Sequence, residues 1–166
     1  MSLSPDEFRA HLELSAATAG VPLPDLTLPE RRHLLLEGMR FHYLDWGTPG
    51  RSPVVFLHGG GLNAHTWDLV CAALRRERHC LALDQRGHGD SEWSPQMDYS
   101  TESHVGDLEA FLHALELQRA VLVGMSLGGV NALAWAGQHS RRLAGLVLVD
   151  VGPEIRFDGV RKIQAF

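Results

Sequence analysis

A serine can carry out acyl transfer only where the backbone holds its hydroxyl out toward a substrate. The stretch Val121 to Gly129, Val-Leu-Val-Gly-Met-Ser-Leu-Gly-Gly, has the residue types for that. The apolar run Ala120 to Val123 suits a buried strand, it breaks at Gly124, and after Ser126 the apolar residues recur at helical spacing. A strand, a tight turn and a helix therefore meet at Ser126. In Gly-x-Ser-x-Gly the nucleophile sits on a strained turn, and the flanking glycines leave room for crowded backbone and for a helix packed close to the strand. Two other strand ends carry comparable signals. His58-Gly59-Gly60-Gly61 follows the apolar run Pro53 to Leu57, and Leu83-Asp84-Gln85-Arg86-Gly87-His88-Gly89-Asp90-Ser91 closes another.

Three strand-end motifs in this order resemble the α/β-hydrolase superfamily, and the resemblance covers about Arg31 to Pro153. It implies an α/β fold with a mostly parallel sheet, helices on both faces, and a serine hydrolase that forms an acyl-enzyme at Ser126. It also implies an oxyanion hole made by the backbone amides of Leu127 and Gly60, each such donor contributing about 3–4 kcal/mol to the transition state. In the same resemblance His58 braces its loop, and Asp84, Arg86 and His88 stabilise the turn after their strand. Haloalkane dehalogenases and epoxide hydrolases of this kind use an aspartate where this chain has Ser126. What the resemblance implies is thus a small carboxylic ester or related acyl substrate and no cofactor. Carbon-carbon bond hydrolysis and perhydrolysis on the same fold are the alternatives.

A serine hydroxyl is a poor nucleophile until a base takes its proton, and a third group must hold that base. In the superfamily the order is nucleophile, acid, histidine. His139 is the one histidine after Ser126 in this sequence. Both fall on one expected helix, and at about 1.5 Å per residue they are ~20 Å apart, which excludes His139 as the base. Asp150 ends the next strand, where some relatives keep their acid; it can equally be a strand-end aspartate bonding the amides of its own loop. The superfamily's last two strands, final helices and histidine find no counterpart. The chain thus reads as a hydrolase truncated after about the sixth strand and inactive alone, or as a non-catalytic half-domain completed by a missing C-terminal segment or a partner chain.

Strands alternating with helices supply the frame that positions these residues. Ser4-Pro5-Asp6-Glu7 is a helix start, with Phe8 and Leu12 on one face and an end near Gly20. Residues 1–30 are expected to be this helix and a proline-rich connector, and 31–166 the N-terminal portion of a hydrolase core. The helix is expected on the domain surface, with cover for part of the site entrance as the other reading. A hairpin turning at Glu37-Gly38 should join His33–Leu36 to Met39–Trp46. Uniformly apolar Val54 to Leu57 suits a parallel strand buried on both faces. A helix is expected from Trp67 to Leu74 with Trp67, Val70, Cys71 and Leu74 inward, and a strand at His79–Leu83. Further on come a helix from about Ser100 to Leu117, the elbow helix from Leu127 to about Gln138, and a strand at Leu143–Val149. His65 and Trp67 either line a substrate pocket or simply start a helix.

Composition narrows the classes. With 166 residues, 45% apolar and 21% charged, the chain suits one globular domain. A net charge of -5 gives no basic footprint for nucleic acid. There is no run long enough to span a bilayer and no apolar signal core at the N-terminus, so a cytoplasmic location is expected. Cys71 and Cys80 fit no metal spacing and are expected as reduced core residues. No two histidines frame a carboxylate at i, i+4, so no metal is expected.

Overall fold

Ser4 opens the first helix by satisfying amides the helix itself cannot. Its hydroxyl accepts the Glu7 N–H at 3.3 Å while the Glu7 carboxylate accepts the Ser4 N–H at 2.8 Å. That helix, α1 (Pro5–Ala19), ends at Gly20 in the left-handed conformation (φ 67). The computed structural model describes residues 4–23 and 25–151. In it β1 (Glu30–Leu36) and β2 (Met39–Asp45) pair antiparallel, and the two-residue turn between them holds Glu37 and Gly38 both at positive φ. That is the turn geometry whose twist matches a hairpin.

Four parallel strands follow: β3 (Pro53–Leu57), β4 (His79–Leu83), β5 (Ala120–Met125) and β6 (Leu143–Val149). The helices are α2 (Asp68–Leu74), α3 (Thr101–Ala114) and α4 (Leu127–His139). The six-stranded sheet has the order β1-β2-β4-β3-β5-β6, with β2 antiparallel to β4 and the rest of the inner pairs parallel. Strand alternation splits the core into two layers. Val55, Leu57, Leu83 and Leu122 pack with Phe111 and Trp135 of α3 and α4. Val54, Phe56 and Cys80 pack on the other face with Leu12, Trp67 and Cys71. Both cysteines are free and buried in that second layer.

Two helix expectations need correction. A short 3₁₀ turn, Ala64–Trp67, precedes α2, and the inward stripe runs through Ala64, Asp68, Cys71 and Ala72. Trp67 and Cys71 are buried as expected, but Val70 and Leu74 are 41% and 38% exposed, because that stripe leaves them on its outer side. α3 stops at Ala114 rather than Leu117. Glu116 turns to φ 54 and the Leu117 N–H reaches back to Leu112 O at 2.9 Å, which closes the helix. No described helix is long and apolar enough to cross a membrane.

Candidate active site

At the end of β5 the backbone makes the sharp turn that the glycine spacing requires. Ser126 sits at φ 48, ψ -114, a region that side chains rarely occupy, and it is exposed. The approach of strand and helix leaves no room for side chains at the flanking glycines. A methyl group on Gly124 would lie 2.3 Å from Gly128 O, and one on Gly128 would lie 2.3 Å from Leu57 O. Two hydrogen bonds tie the elbow to its neighbours, Ser126 N–H to Val149 O at 3.0 Å and Gly128 N–H to His58 O at 3.1 Å. Leu127 holds the first position of α4, where an N–H has no acceptor within the helix. The glycine turn after β3 lies alongside. A methyl on Gly59 would be 3.6 Å from Ser126 Cβ, and one on Gly60 would be 3.9 Å from Leu127 Cβ. Ser126, Leu127 and Gly60 are thereby brought together at the C-terminal ends of β3 and β5.

His58 is fully buried beneath this turn, and both ring nitrogens are in use. Nδ1 lies 2.8 Å from Gly59 O, and Nε2 accepts the Gln85 N–H at 3.0 Å, which assigns the ring proton to Nδ1. The Gln85 side chain donates to His58 O at 2.8 Å and accepts from Asn131 Nδ2 of α4 at 2.8 Å. One buried chain thus links β3, β4 and the elbow helix. Asp84 braces the neighbouring loop. Its carboxylate accepts from the amides of Ala64 (2.6 Å) and Asp90 (2.9 Å) and lies 2.7 Å from His42 Nδ1. Burial pushes that carboxyl up, but the hydrogen bonds from His42 and the two amides outweigh it and hold it below its ordinary value. Gly89, at φ 54, has no space for a side chain because a methyl there would overlap the Asp84 carboxylate. Arg86 forms a fork with Asp107 of α3 and also donates to Asp98 O at 2.8 Å.

Residues 52–160 match the family described as alpha/beta hydrolase fold. The chain belongs to that family. It is 42% identical over 151 residues to Esterase Rv0045c of Mycobacterium tuberculosis, an alignment that covers 89% of this chain and 47% of the esterase. It is 30% identical over 135 residues to a haloalkane dehalogenase of Mesorhizobium japonicum, covering 81% and 43% of the two. A crystal structure of an α/β hydrolase from Novosphingobium aromaticivorans superposes with a TM-score of 0.78 at 32% identity, covering 86% of this chain and 51% of that one. The chain spans about half the length of the curated relatives it matches.

Within this α/β-hydrolase frame the structure separates several candidates from the elbow. Among the described residues the Ser126 hydroxyl makes no side-chain hydrogen bond, and His139 sits at the far end of α4 stacked on Trp135. Asp150 follows Val149, whose carbonyl accepts the Ser126 N–H; it is exposed and turned to φ 54. His65 pairs with Asp68 at 2.8 Å and meets the Phe8 ring edge-on. It lines a cavity of about 720 Å³ roofed by α1, together with Leu28, Arg31 and Asp90. Ser126, Gly60 and Leu127 are not among that cavity's walls. His42, Asp84 and Asp90 bring ligand atoms within 4.8 Å of one another, but the Asp84 oxygens are taken by amides and His42, and Asp90 pairs with Arg31. Neither Gln85 nor Asn131 stands out by type or spacing in the sequence. A lone amide in the apolar run of the elbow helix was the one available signal.

Buried neutral histidines set a pH dependence. Burial pushes the pKa of both His58 and His104 below the ordinary 6.5, against hydrogen bonds to Gly59 and Ser100 that favour the charged forms. As pH falls below about 6.5, the unfolded chain takes up these protons before the folded one, so stability drops. At His58 an added proton on Nε2 would face the Gln85 N–H, donor against donor. The half-exposed His65 works the other way through its bond to Asp68, and its contribution is smaller for being screened. The thermal midpoint is expected to decline from pH 7 to pH 5, with part of the decline offset by Asp68 and Asp107, whose carboxyls burial pushes above their ordinary value. A flat or rising profile would contradict the assignment of His58 and His104 as buried neutral groups.

Proposed function

We propose that Ser126 is the nucleophile of a hydrolase acting on a small carboxylic ester or related acyl substrate through an acyl-enzyme. The observation that carries this reading is an exposed serine at positive φ, beside a glycine turn and the first N–H of α4. In the proposed reaction Oγ bonds to the carbonyl carbon as its proton passes to a general base. The carbonyl oxygen takes up negative charge against the Gly60 and Leu127 amides, and the alcohol leaves with the proton. Water then adds to the acyl-enzyme by the same route and releases the acid. Fixed donors suit this step because they need no reorganisation as charge develops. His58 serves as a brace in this reading, since both of its nitrogens are committed. The base is a histidine from outside residues 4–151, contributed by a further segment of the protein or by a partner chain.

The test is intact mass after exposure to a fluorophosphonate, on the protein expressed from its complete reading frame. One adduct per chain is expected, lost in Ser126→Ala, and the 166-residue chain alone is expected to stay unlabelled at the same dose. No adduct on the folded complete protein, either purified or in the lysate of its own cells where a partner chain would be present, would overturn the reading.

A further inference from the structure

His104 lies in α3 close to the ends of β3 and β4, and one of its ring nitrogens lacks a partner. Its Nδ1 is 2.9 Å from Ser100 O. A carbonyl oxygen only accepts, so Nδ1 carries the ring proton. Burial keeps the ring neutral near pH 7 by pushing its pKa below the ordinary value. Nε2 is therefore a bare acceptor. It is buried, and no group among the described residues donates to it. An acceptor left in that position costs its full desolvation.

Beside it is a void of about 10 Å³, walled by Leu57, Leu83, Leu108, Gln85, His104 and Asp107. That is the room one water molecule takes up, and too little for a larger ligand. A void lined only by apolar groups stays dry, but half of these walls are buried polar residues. Two of them have hydrogen-bonding capacity to spare. The Gln85 side-chain amide has two N–H groups, of which one goes to His58 O. The Asp107 carboxylate has about four lone-pair sites, and the Arg86 fork fills two of them.

We infer that this void is the site of a resident water molecule that joins α3 to the buried His58–Gln85–Asn131 chain under the elbow. The water donates to His104 Nε2 and to the Asp107 carboxylate, and it accepts the second Gln85 side-chain N–H. That makes three hydrogen bonds, the usual number for a buried water. A cation is the wrong occupant, because Arg86 already presents its charge to the same carboxylate and the Gln85 oxygen is turned to Asn131. Through this water the glycine turn that carries His58 is braced from α3 as well as from β4 and α4. The inference stands apart from the chemistry proposed for Ser126.

The test is a crystal structure of the protein expressed from its complete reading frame, at a resolution that shows ordered waters, for wild type and His104→Phe. In the wild type one peak is expected within about 3.2 Å of both His104 Nε2 and Gln85 Nε2. Phenylalanine keeps a ring but removes the acceptor, so the peak should fall to half its occupancy or less. A peak unchanged in His104→Phe overturns the bridge, because His104 then does not hold the water. An empty void, a protein donor on Nε2, or a peak at the metal-ligand distance of about 2.1 Å in the wild type overturns it as well. Where His104→Phe fails to fold, water-to-protein cross-relaxation on the wild type decides. A cross-peak between water and the Leu108 methyl groups is expected, and its absence overturns the inference.

Discussion

Ser126→Gly is expected to make the protein more stable while removing the acyl-enzyme chemistry proposed for it. At φ 48, ψ -114 the serine occupies a conformation that costs a residue with a Cβ about 1–3 kcal/mol. Glycine adopts it freely, but it also gains about 0.5–1 kcal/mol of unfolded-state entropy that folding must remove. The strain exceeds that cost, so the net gain should be about 1 kcal/mol. For a domain of this length, that raises the thermal midpoint by roughly 2–4 °C. The same change deletes Oγ, and ester turnover should fall by a factor on the order of 10³ to 10⁶. Ser126→Ala separates the two effects, because it loses the hydroxyl but keeps the Cβ and hence the strain. Calorimetry, and ester turnover of the protein expressed from its complete reading frame, on wild type and the two variants check this. A midpoint for Ser126→Gly at or below that of Ser126→Ala would mean that the turn is not strained. Turnover surviving in either variant would mean that the nucleophile is elsewhere.

The elbow was legible because its constraints are local. A strand buried on both faces must read as an apolar run, a turn with no room for side chains must contain glycine, and a helix starting on that turn must show helical spacing; Ala120 to Trp135 satisfies all three. The same reasoning located β3, β4 and the glycine turn at Gly59-Gly60. What the sequence did not expose depends on which groups meet across the fold. Gln85 and Asn131 are unremarkable in the chain, and their role appears only when the ends of β3 and β4 lie over α4. Val70 and Leu74 matched an inward stripe at helical spacing, yet the 3₁₀ turn before α2 and the site of contact with the sheet set a different face. Leu115 to Leu117 continued the apolar pattern of α3, and the left-handed turn at Glu116 ended the helix inside it. The cavity under α1 had no sequence signature beyond His65.

Gly128 shows where close packing outweighs helix propensity. It lies inside α4, where alanine is intrinsically better than glycine by about 1 kcal/mol, so propensity alone would favour Gly128→Ala. The added methyl would lie 2.3 Å from Leu57 O, 2.6 Å from Leu57 C and 2.7 Å from His58 O. All three are backbone atoms at the end of a central strand, and no side-chain rotation can relieve the contact. Gly128 is also fastened there by its own N–H bond to His58 O, so the helix can retreat only by breaking that bond and opening the elbow. Loss of packing, the hydrogen bond and the buried His58–Gln85–Asn131 chain together should cost about 4 kcal/mol or more, a magnitude point changes reach only when a core contact is destroyed. Gly137 is the internal control: it belongs to the same helix, and a methyl there meets nothing within 4 Å. Gly137→Ala should therefore gain up to about 1 kcal/mol. Denaturant unfolding of the two variants decides between the effects. If Gly128→Ala matched Gly137→Ala in stability, strand and helix would not approach as closely as the elbow requires, and the strained presentation of Ser126 would lose its structural basis.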